Sequence, residues 1–294
     1  MTSTQPVKPV KRFAWALAAL AVLAVHAVYT ARVGAPDALL RLSDGRRLPL
    51  ELALPDLFQA RLVFVGELHD QRSHHEAQLR VIRAFHEADR PVAVGLEMFR
   101  AESQHLLDRW VRGALTLEEF LHVYYDNWNF PWVYYRDILL YARGHAIPLV
   151  GLNVPQETIR QVARAGFESL SREQVGELPQ VRCEIDEAYE EFIRKAMGMR
   201  GHEGRAFRNF CEAQLLWDAA MAANLVRFLE ENPDHTVVVI AGSGHAWKRG
   251  IPDQVARIRP LSTRVLVPEI PQRLDRWGAT ADDADYLWIG LPLE

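Results

Sequence analysis

The fold of this chain is most evident from the stretch Leu62-Val63-Phe64-Val65-Gly66-Glu67-Leu68-His69, in which an apolar run ends in a turn that carries a carboxylate and an imidazole. A second stretch repeats the arrangement, since Val237-Val238-Val239-Ile240-Ala241 precedes Gly242-Ser243-Gly244-His245. Short apolar runs rich in β-branched residues are typical of buried strands. Each G-x-x-H turn therefore begins where a strand ends, and an open parallel sheet binds its ligands outside those strand ends.

Two further apolar runs, at residues 91–96 and 147–152, follow the same pattern, and helical segments separate the runs. Residues 73–88, for example, carry their apolar side chains at the spacing of a helix with one buried face. The alternation of strands and helices predicts an α/β fold with a mostly parallel central sheet and helices on both faces. Residues 156–230 show only helical patterns, and we predict a helical insert there.

Sequence patterns near the two ends of this domain predict a hairpin and two further strands. The pair Asp44-Gly45 is typical of a tight turn and predicts a hairpin within a short lead-in over residues 36–57. Residues 264–267 and 286–289 have the composition of late strands.

The composition limits the class of protein. Hydrophobic residues make up 49% of the chain and charged residues 24%, which is typical of a folded globular domain. The formal net charge is -4 and no basic stripe occurs. Because phosphate binding needs clustered cations, we exclude nucleic acid as a partner. The sequence also lacks the serine-hydrolase elbow, the dinucleotide-binding glycine loop and the Walker loop.

The N-terminus differs from the rest of the chain. Three basic residues precede an apolar run at residues 13–29, which is the pattern of a secretory signal. A run of this length also suits an uncleaved membrane anchor. We therefore predict an exported protein with a signal peptide or N-terminal membrane anchor at residues 1–35 and one α/β domain at residues 36–294.

The chain has two cysteines, Cys183 and Cys211, whose spacing fits no zinc motif. In an oxidising compartment they can pair as a disulfide, and they can equally remain reduced.

Ligand-type side chains follow all four main strand runs. They are Glu67 and His69, Glu97, Asn153 and His245. Any one of them alone is explained as a helix cap or as a polar group at the edge of the core, but the recurrence favours a shared site. Imidazole and carboxylate together suit a divalent ion such as zinc, manganese or iron, with Glu67, His69, Glu97 and His245 as the ligands.

His74 and His75 stand at the start of the helix that follows the first turn. We expect one of them to point toward the strand ends and the other toward solvent, with His74 as the candidate ligand.

Aromatic residues are concentrated between residues 124 and 135, including Tyr134 and Tyr135. Rings can hold a planar ligand, and a tyrosine oxygen can ligate haem iron. The alternative is that these rings pack in the core between a helix and the sheet.

Five strings in this order carry a family resemblance: GELHD at 66–70, GLEMF at 95–99, W-x-x-Y at 132–135, GLNVP at 151–155 and AGSGH at 241–245. Together they resemble the ChaN-like haem-binding uptake proteins of the Tiki and TraB superfamily, over roughly residues 50 to 260. The resemblance implies a parallel-sheet α/β domain on the outer side of the bacterial inner membrane, periplasmic or anchored there. It also implies a role in iron acquisition and haem binding in a homodimer through a tyrosine.

The resemblance assigns roles residue by residue. Tyr135 matches the W-x-x-Y tyrosine, and Tyr134 is its neighbour and substitute. The Tiki branch, regarded as metal-dependent peptidases, shares the two G-x-x-H turns and the glutamate, which here are Glu67, His69 and His245. Family members are often lipoproteins, whereas no cysteine lies near the end of residues 1–35.

Three functions therefore remain open. The first is a haem-binding envelope protein in which Tyr135, Tyr134, His74 and Asn153 contact the haem. The second is a metal-dependent hydrolase in which the metal polarises a carbonyl and Glu67 acts as general base on water. The third is a structural envelope protein whose strand-end polar groups are only caps.

Overall fold

One sheet organises the part of the chain that the computed structural model describes, which is residues 37–178, 187–197 and 204–293. Its eight strands lie in the order β2-β1-β8-β7-β3-β6-β4-β5. The strands are β1 Ala38–Arg41, β2 Arg47–Leu48, β3 Leu62–Glu67, β4 Val92–Arg100, β5 Leu149–Asn153, β6 Thr236–Gly242, β7 Thr263–Pro268 and β8 Tyr286–Ile289. Strands β3 to β8 pair in parallel, and only β1 pairs antiparallel, with β2 and β8.

Helices connect these strands. They are α1 Leu50–Leu57, α2 Arg72–Glu87, α3 Gln104–Val111, α4 Leu117–Asn127, α5 Trp132–Gly144, α6 Gln156–Ala165, α7 Arg172–Glu177, α8 Glu187–Met197, α9 Arg205–Glu231, α10 Ser243–Ala246 and α11 Ile251–Ile258. None of the helices in the described ranges is long and apolar enough to cross a membrane.

The helices cover both faces of the sheet, as its alternating side chains show. In β3, Val63 and Val65 belong to the core formed with α2 and α5. Leu62 and Phe64, which point the other way, belong to the core formed with α9 and α11. Since β3 is buried along its whole length, it reads as a continuous apolar run rather than an alternating one.

The register of the central strands brings the two G-x-x-H turns together. Strands β3 and β6 are neighbours, and Glu67 lies opposite Gly242 in their parallel ladder. Strand β4 lies on the other side of β6, with Leu96 opposite Ile240. The ends of β3, β6 and β4 therefore meet at one edge of the sheet.

The predicted fold class is confirmed: the sheet is mostly parallel and has helices on both faces. The region predicted as a helical insert contains α6 to α9 and no strand within residues 156–178, 187–197 and 204–230. The predicted hairpin is present as β1 and β2, with Gly45 at a φ of 70°, a left-handed conformation that favours glycine.

The lead-in before β3 differs from the prediction, because it contains helix α1 as well as the hairpin. Pro55 lies inside this helix. A proline in a helix removes a backbone donor, so the sequence gives no helical signal there. Residues 1–35 and Cys183 lie outside the described residues, and the predictions about an export signal and a disulfide remain predictions.

Candidate functional site

A cavity of about 550 Å³ opens at the carboxyl ends of β3, β4, β5 and β6. This size lies within the range of small-molecule sites. Its walls combine the two G-x-x-H turns with aromatic and polar groups from α4, α9 and the loop after β7. Lining residues include Glu67, His69, Glu97, Arg100, Asn127, Trp128, Phe130, Asn153, Trp217, His245 and Arg273. The structure thus brings together all five strand-end residues that the sequence predicted.

Glu67 is the centre of the first turn. Its carboxylate is buried, with 1% of the residue exposed. Oε1 accepts hydrogen bonds from Tyr135 Oη at 2.5 Å and His69 Nδ1 at 2.6 Å. Oε2 accepts one from Gln78 Nε2 at 2.7 Å and lies 3.1 Å from His75 Nδ1. A buried carboxylate is stable only with such a set of donors.

The charges of this turn are mutually dependent. Burial alone would raise the pKa of Glu67, but the charge of His75 and the hydrogen bond from His69 hold it well below its usual range. Burial opposes protonation of His69, yet the hydrogen bond to Glu67 and the charge of Glu97 raise its pKa to about 9. The first turn therefore favours the anionic form of Glu67 and the protonated forms of His69 and His75.

The second turn obtains its carboxylate from elsewhere in the chain. His245 Nδ1 lies 2.6 Å from Oδ1 of Asp218, which is on α9. Burial opposes protonation of His245, but the Asp218 charge raises its pKa. Burial raises the pKa of Asp218 to about 6 despite this partner. The buried pair holds the His245 ring in place.

Glu97 lies between the two imidazoles. Its Oε1 is 4.0 Å from His69 Nε2 and 3.8 Å from His245 Nε2, while its Oε2 accepts the backbone N–H of Gly242 at 2.6 Å. The pairing of β4 with β5 shifts register between Leu96 and Arg100, and such irregularities redirect a side chain.

Two glycines are required by the close packing of the turns. A Cβ on Gly242 would lie 3.1 Å from the His69 ring. A Cβ on Gly66 would lie 2.9 Å from Val267 and 3.0 Å from the Ser243 hydroxyl. The absence of a side chain at the first glycine of each G-x-x-H turn therefore allows the two turns to pack against each other.

Asn153 fixes the end of β5 rather than pointing freely into the cavity. Its Nδ2 donates to the Glu97 carbonyl at 2.7 Å, and its Oδ1 accepts from the Val154 N–H at 2.8 Å and from Trp217 Nε1 at 2.5 Å. Trp217 in turn packs on His245, with ring centroids 4.9 Å apart.

The expectation that one of His74 and His75 faces solvent is wrong, since both are buried. His74 Nδ1 accepts the Leu68 N–H at 2.9 Å, and burial lowers its pKa to about 4, so its ring is neutral. His75 lies against Glu67, and its Nε2 is 3.2 Å from the His69 carbonyl oxygen. His74 does not line the cavity.

The aromatic segment divides into packed rings and cavity walls. Tyr135 is 1% exposed and lies behind His69, where burial and the Glu67 charge raise its pKa. Neither Tyr135 nor Tyr134 lines the cavity, and their predicted role as haem ligands remains a prediction. Trp128 and Phe130 do line it, each with its ring centroid 5.0 Å from that of His69. Tyr125 exposes the largest fraction of any tyrosine in the described segment, 51%.

Within the described residues, no group of three or more His, Cys, Asp and Glu side chains is arranged to hold a metal ion. Of the predicted metal ligands, His69 and His245 both turn Nε2 toward Glu97, whereas the Glu67 oxygens accept from Tyr135, His69 Nδ1 and Gln78.

Sequence reasoning missed Asp218, Gln78 and Arg273. Asp218 had a usable signal, because it is a carboxylate among the apolar residues of a helix face. Arg273 had none, because it lies in a loop with no periodicity.

Comparisons with known proteins identify a family and a fold for this chain. A family model described as "Haem-binding uptake, Tiki superfamily, ChaN" matches residues 53–255. A solved structure titled "Cofacial heme binding to ChaN of Campylobacter jejuni" superposes with a TM-score of 0.68 at 18% identity, over 86% of this chain and 97% of that one. An erythromycin esterase mutant, EreC, superposes with a TM-score of 0.46 at 15% identity, over 83% and 79%. No curated protein sequence matches the chain.

Proposed function

This chain belongs to the haem-binding uptake family of the Tiki superfamily, which includes ChaN, and we propose that it binds haem in the cavity at the carboxyl ends of the strands. The observation that supports this site is an imidazole set in an aromatic wall. His69 borders the cavity with 26% of its side chain exposed and packs against both Trp128 and Phe130.

The donors at the site fit haem. Imidazole and phenolate oxygen are both axial ligands of haem iron, and aromatic walls suit the porphyrin faces. His69 is held by its Nδ1 on Glu67, and its Nε2 becomes the donor toward the cavity once the ring gives up the proton on that nitrogen. Tyr135 reaches iron only if its hydroxyl leaves Glu67. Haem supplies the iron chemistry, and the chain supplies a shaped cavity and a positioned donor.

A haemin titration tests this proposal. We expect a saturable shift of the Soret band with wild-type protein. His69→Ala weakens binding by at least about tenfold, the factor that corresponds to about 1.4 kcal/mol. His105→Ala is the matched control, because His105 is exposed and does not line the cavity.

The same titration assigns the ligand. If Tyr135→Phe or Tyr134→Phe weakens binding and His69→Ala does not, that tyrosine is the iron ligand, and in the case of Tyr135 its phenol has left Glu67. Absence of saturable haemin binding by the wild-type protein would sink the proposal.

We further propose export and a role in haem uptake at the outer side of the inner membrane, with a homodimer as the working form. The basic and apolar N-terminal pattern supports export. Cell fractionation and the mass of the mature chain test it, since a cytoplasmic full-length chain contradicts export. Light scattering with and without haemin tests the dimer.

A metal-dependent hydrolase is the second candidate. Both site histidines rest on a carboxylate through Nδ1 and present Nε2 to Glu97, and histidine ligands of metals are commonly supported in this way. Zinc, manganese or iron would be held by His69, Glu97 and His245 and would polarise a carbonyl, while Glu67 lies beside them. Metal analysis of protein isolated from its native envelope tests this function, and less than stoichiometric metal rejects it.

A further inference from the structure

The loop after β7, residues 269–278, carries a cation to the rim of the cavity. Arg273 lines the cavity and is exposed. Its guanidinium makes no hydrogen bond or ion pair with any residue in the described ranges. Arg100, the other arginine of the lining, is paired with Glu102 and Asp126. Arg273 is therefore the lining cation that lacks an acidic partner among the described residues.

The loop is held in one conformation. Ile270 and Leu274 are buried and form an antiparallel bridge, with N–H to carbonyl distances of 2.8 and 2.9 Å. Arg276 binds both carboxylate oxygens of Glu269, and Asp275 accepts the N–H groups of residues 277 and 278 at 2.9 Å. These contacts fix the loop on both sides of Arg273.

Backbone strain lies next to the arginine. Gln272 has a φ of 66°, in the left-handed region that residues with a Cβ rarely adopt. Strained positions persist where the surrounding contacts enforce them, and they concentrate at ligand-binding sites.

The charges of the cavity give a ligand one preferred orientation. The floor contains the carboxylates of Glu67 and Glu97, which lie beside the site histidines. The other lining carboxylates are Asp126, which is paired with Arg100, and Asp70. The rim contains the guanidinium of Arg273, which has no acidic partner among the described residues and whose planar fork matches a carboxylate.

From this geometry we infer that Arg273 recognises a carboxylate of the ligand, so that the cavity binds a porphyrin with free propionates, oriented with those groups at the rim. This inference rests on the proposed haem function and names the part of the haem that the chain selects.

Esterification separates this contact from the rest of haem binding. We compare haemin with haemin dimethyl ester, which keeps the ring and the iron but lacks the two negative charges. For wild-type protein we expect affinity about two- to fivefold lower for the ester, the size typical of an exposed ion pair.

Arg273→Ala should lower the affinity for haemin by the same factor and remove the difference between haemin and its ester. Arg273→Lys should recover part of both. The matched control is Arg249→Ala, because Arg249 is exposed and lies outside the cavity lining.

Two results distinguish a failure of this inference from a failure of the proposed haem function. If wild-type protein binds haemin but Arg273→Ala still discriminates against the ester, this inference is wrong and the haem function stands. If wild-type protein binds neither porphyrin saturably, both are wrong.

Discussion

The two G-x-x-H turns have the same pattern, lie on neighbouring strands and differ in where they obtain their carboxylate. His69 pairs with Glu67, two residues away in its own turn, whereas His245 pairs with Asp218 on helix α9. The His69 side chain is 26% exposed and that of His245 11%. The pattern thus fixes where an imidazole is placed, and the surroundings decide its charge and its access to the cavity.

Removing the carboxylate of the first turn should destabilise the protein more than removing that of the second, because several donors depend on Glu67. Replacing Glu67 by Gln places an amide N–H₂ among Tyr135, His69 and Gln78 and removes the counter-charge of the imidazoles. We expect the free energy of unfolding, measured by urea denaturation of ligand-free protein, to fall by about 4 kcal/mol. The control is Glu51→Gln on the exposed face of α1, which should change it by less than about 0.5 kcal/mol.

The free energy of unfolding should fall less when the carboxylate of the second turn is removed. Asp218 supports a single imidazole, and an asparagine Oδ1 can still accept from the neutral ring. We expect Asp218→Asn to lower the free energy of unfolding by about 2 kcal/mol. Asp234→Asn, at an exposed position, is the comparison variant. A loss equal to that of Glu67→Gln would mean that the turns do not differ as described.

The smallest effect should come from the position in the second turn that corresponds to Glu67. Ser243 holds that place, and its hydroxyl donates one hydrogen bond to the Glu67 carbonyl oxygen at 3.0 Å. Ser243→Ala should lower the free energy of unfolding by about 1 kcal/mol, the usual value of one neutral hydrogen bond. The exposed Ser43 provides the matched alanine variant, and a loss above about 3 kcal/mol would show that the two positions are equivalent after all.

The sequence was sufficient for the sheet and for the positions of the strand-end residues, because each buried strand is a continuous apolar run followed by a turn. The family resemblance drawn from short strings is confirmed by the match over residues 53–255. Helix α1 was missed because Pro55 lies inside it. The hairpin of β1 and β2 was predicted, but not the antiparallel pairing of β1 with β8 that joins it to the sheet.

The chemistry of the site was less accessible to sequence reasoning. Spacing could not tell which face of α5 meets the sheet, and Tyr135 proves to be a buried donor to Glu67. Asp218 and Arg273 reach the site from a long helix and a loop, and only tertiary packing brings them there.

The pairing of β3 with β6 also sets an order of events during biosynthesis. Glu67 and Gly242 lie opposite each other in the sheet but are far apart along the chain. Contacts between distant segments form late in folding. A growing polypeptide therefore carries its first histidine turn without the second, and the cavity that both turns line cannot form before the ribosome has passed His245. We therefore expect this protein to bind haem after its synthesis is complete, and not to need haem in order to fold during synthesis.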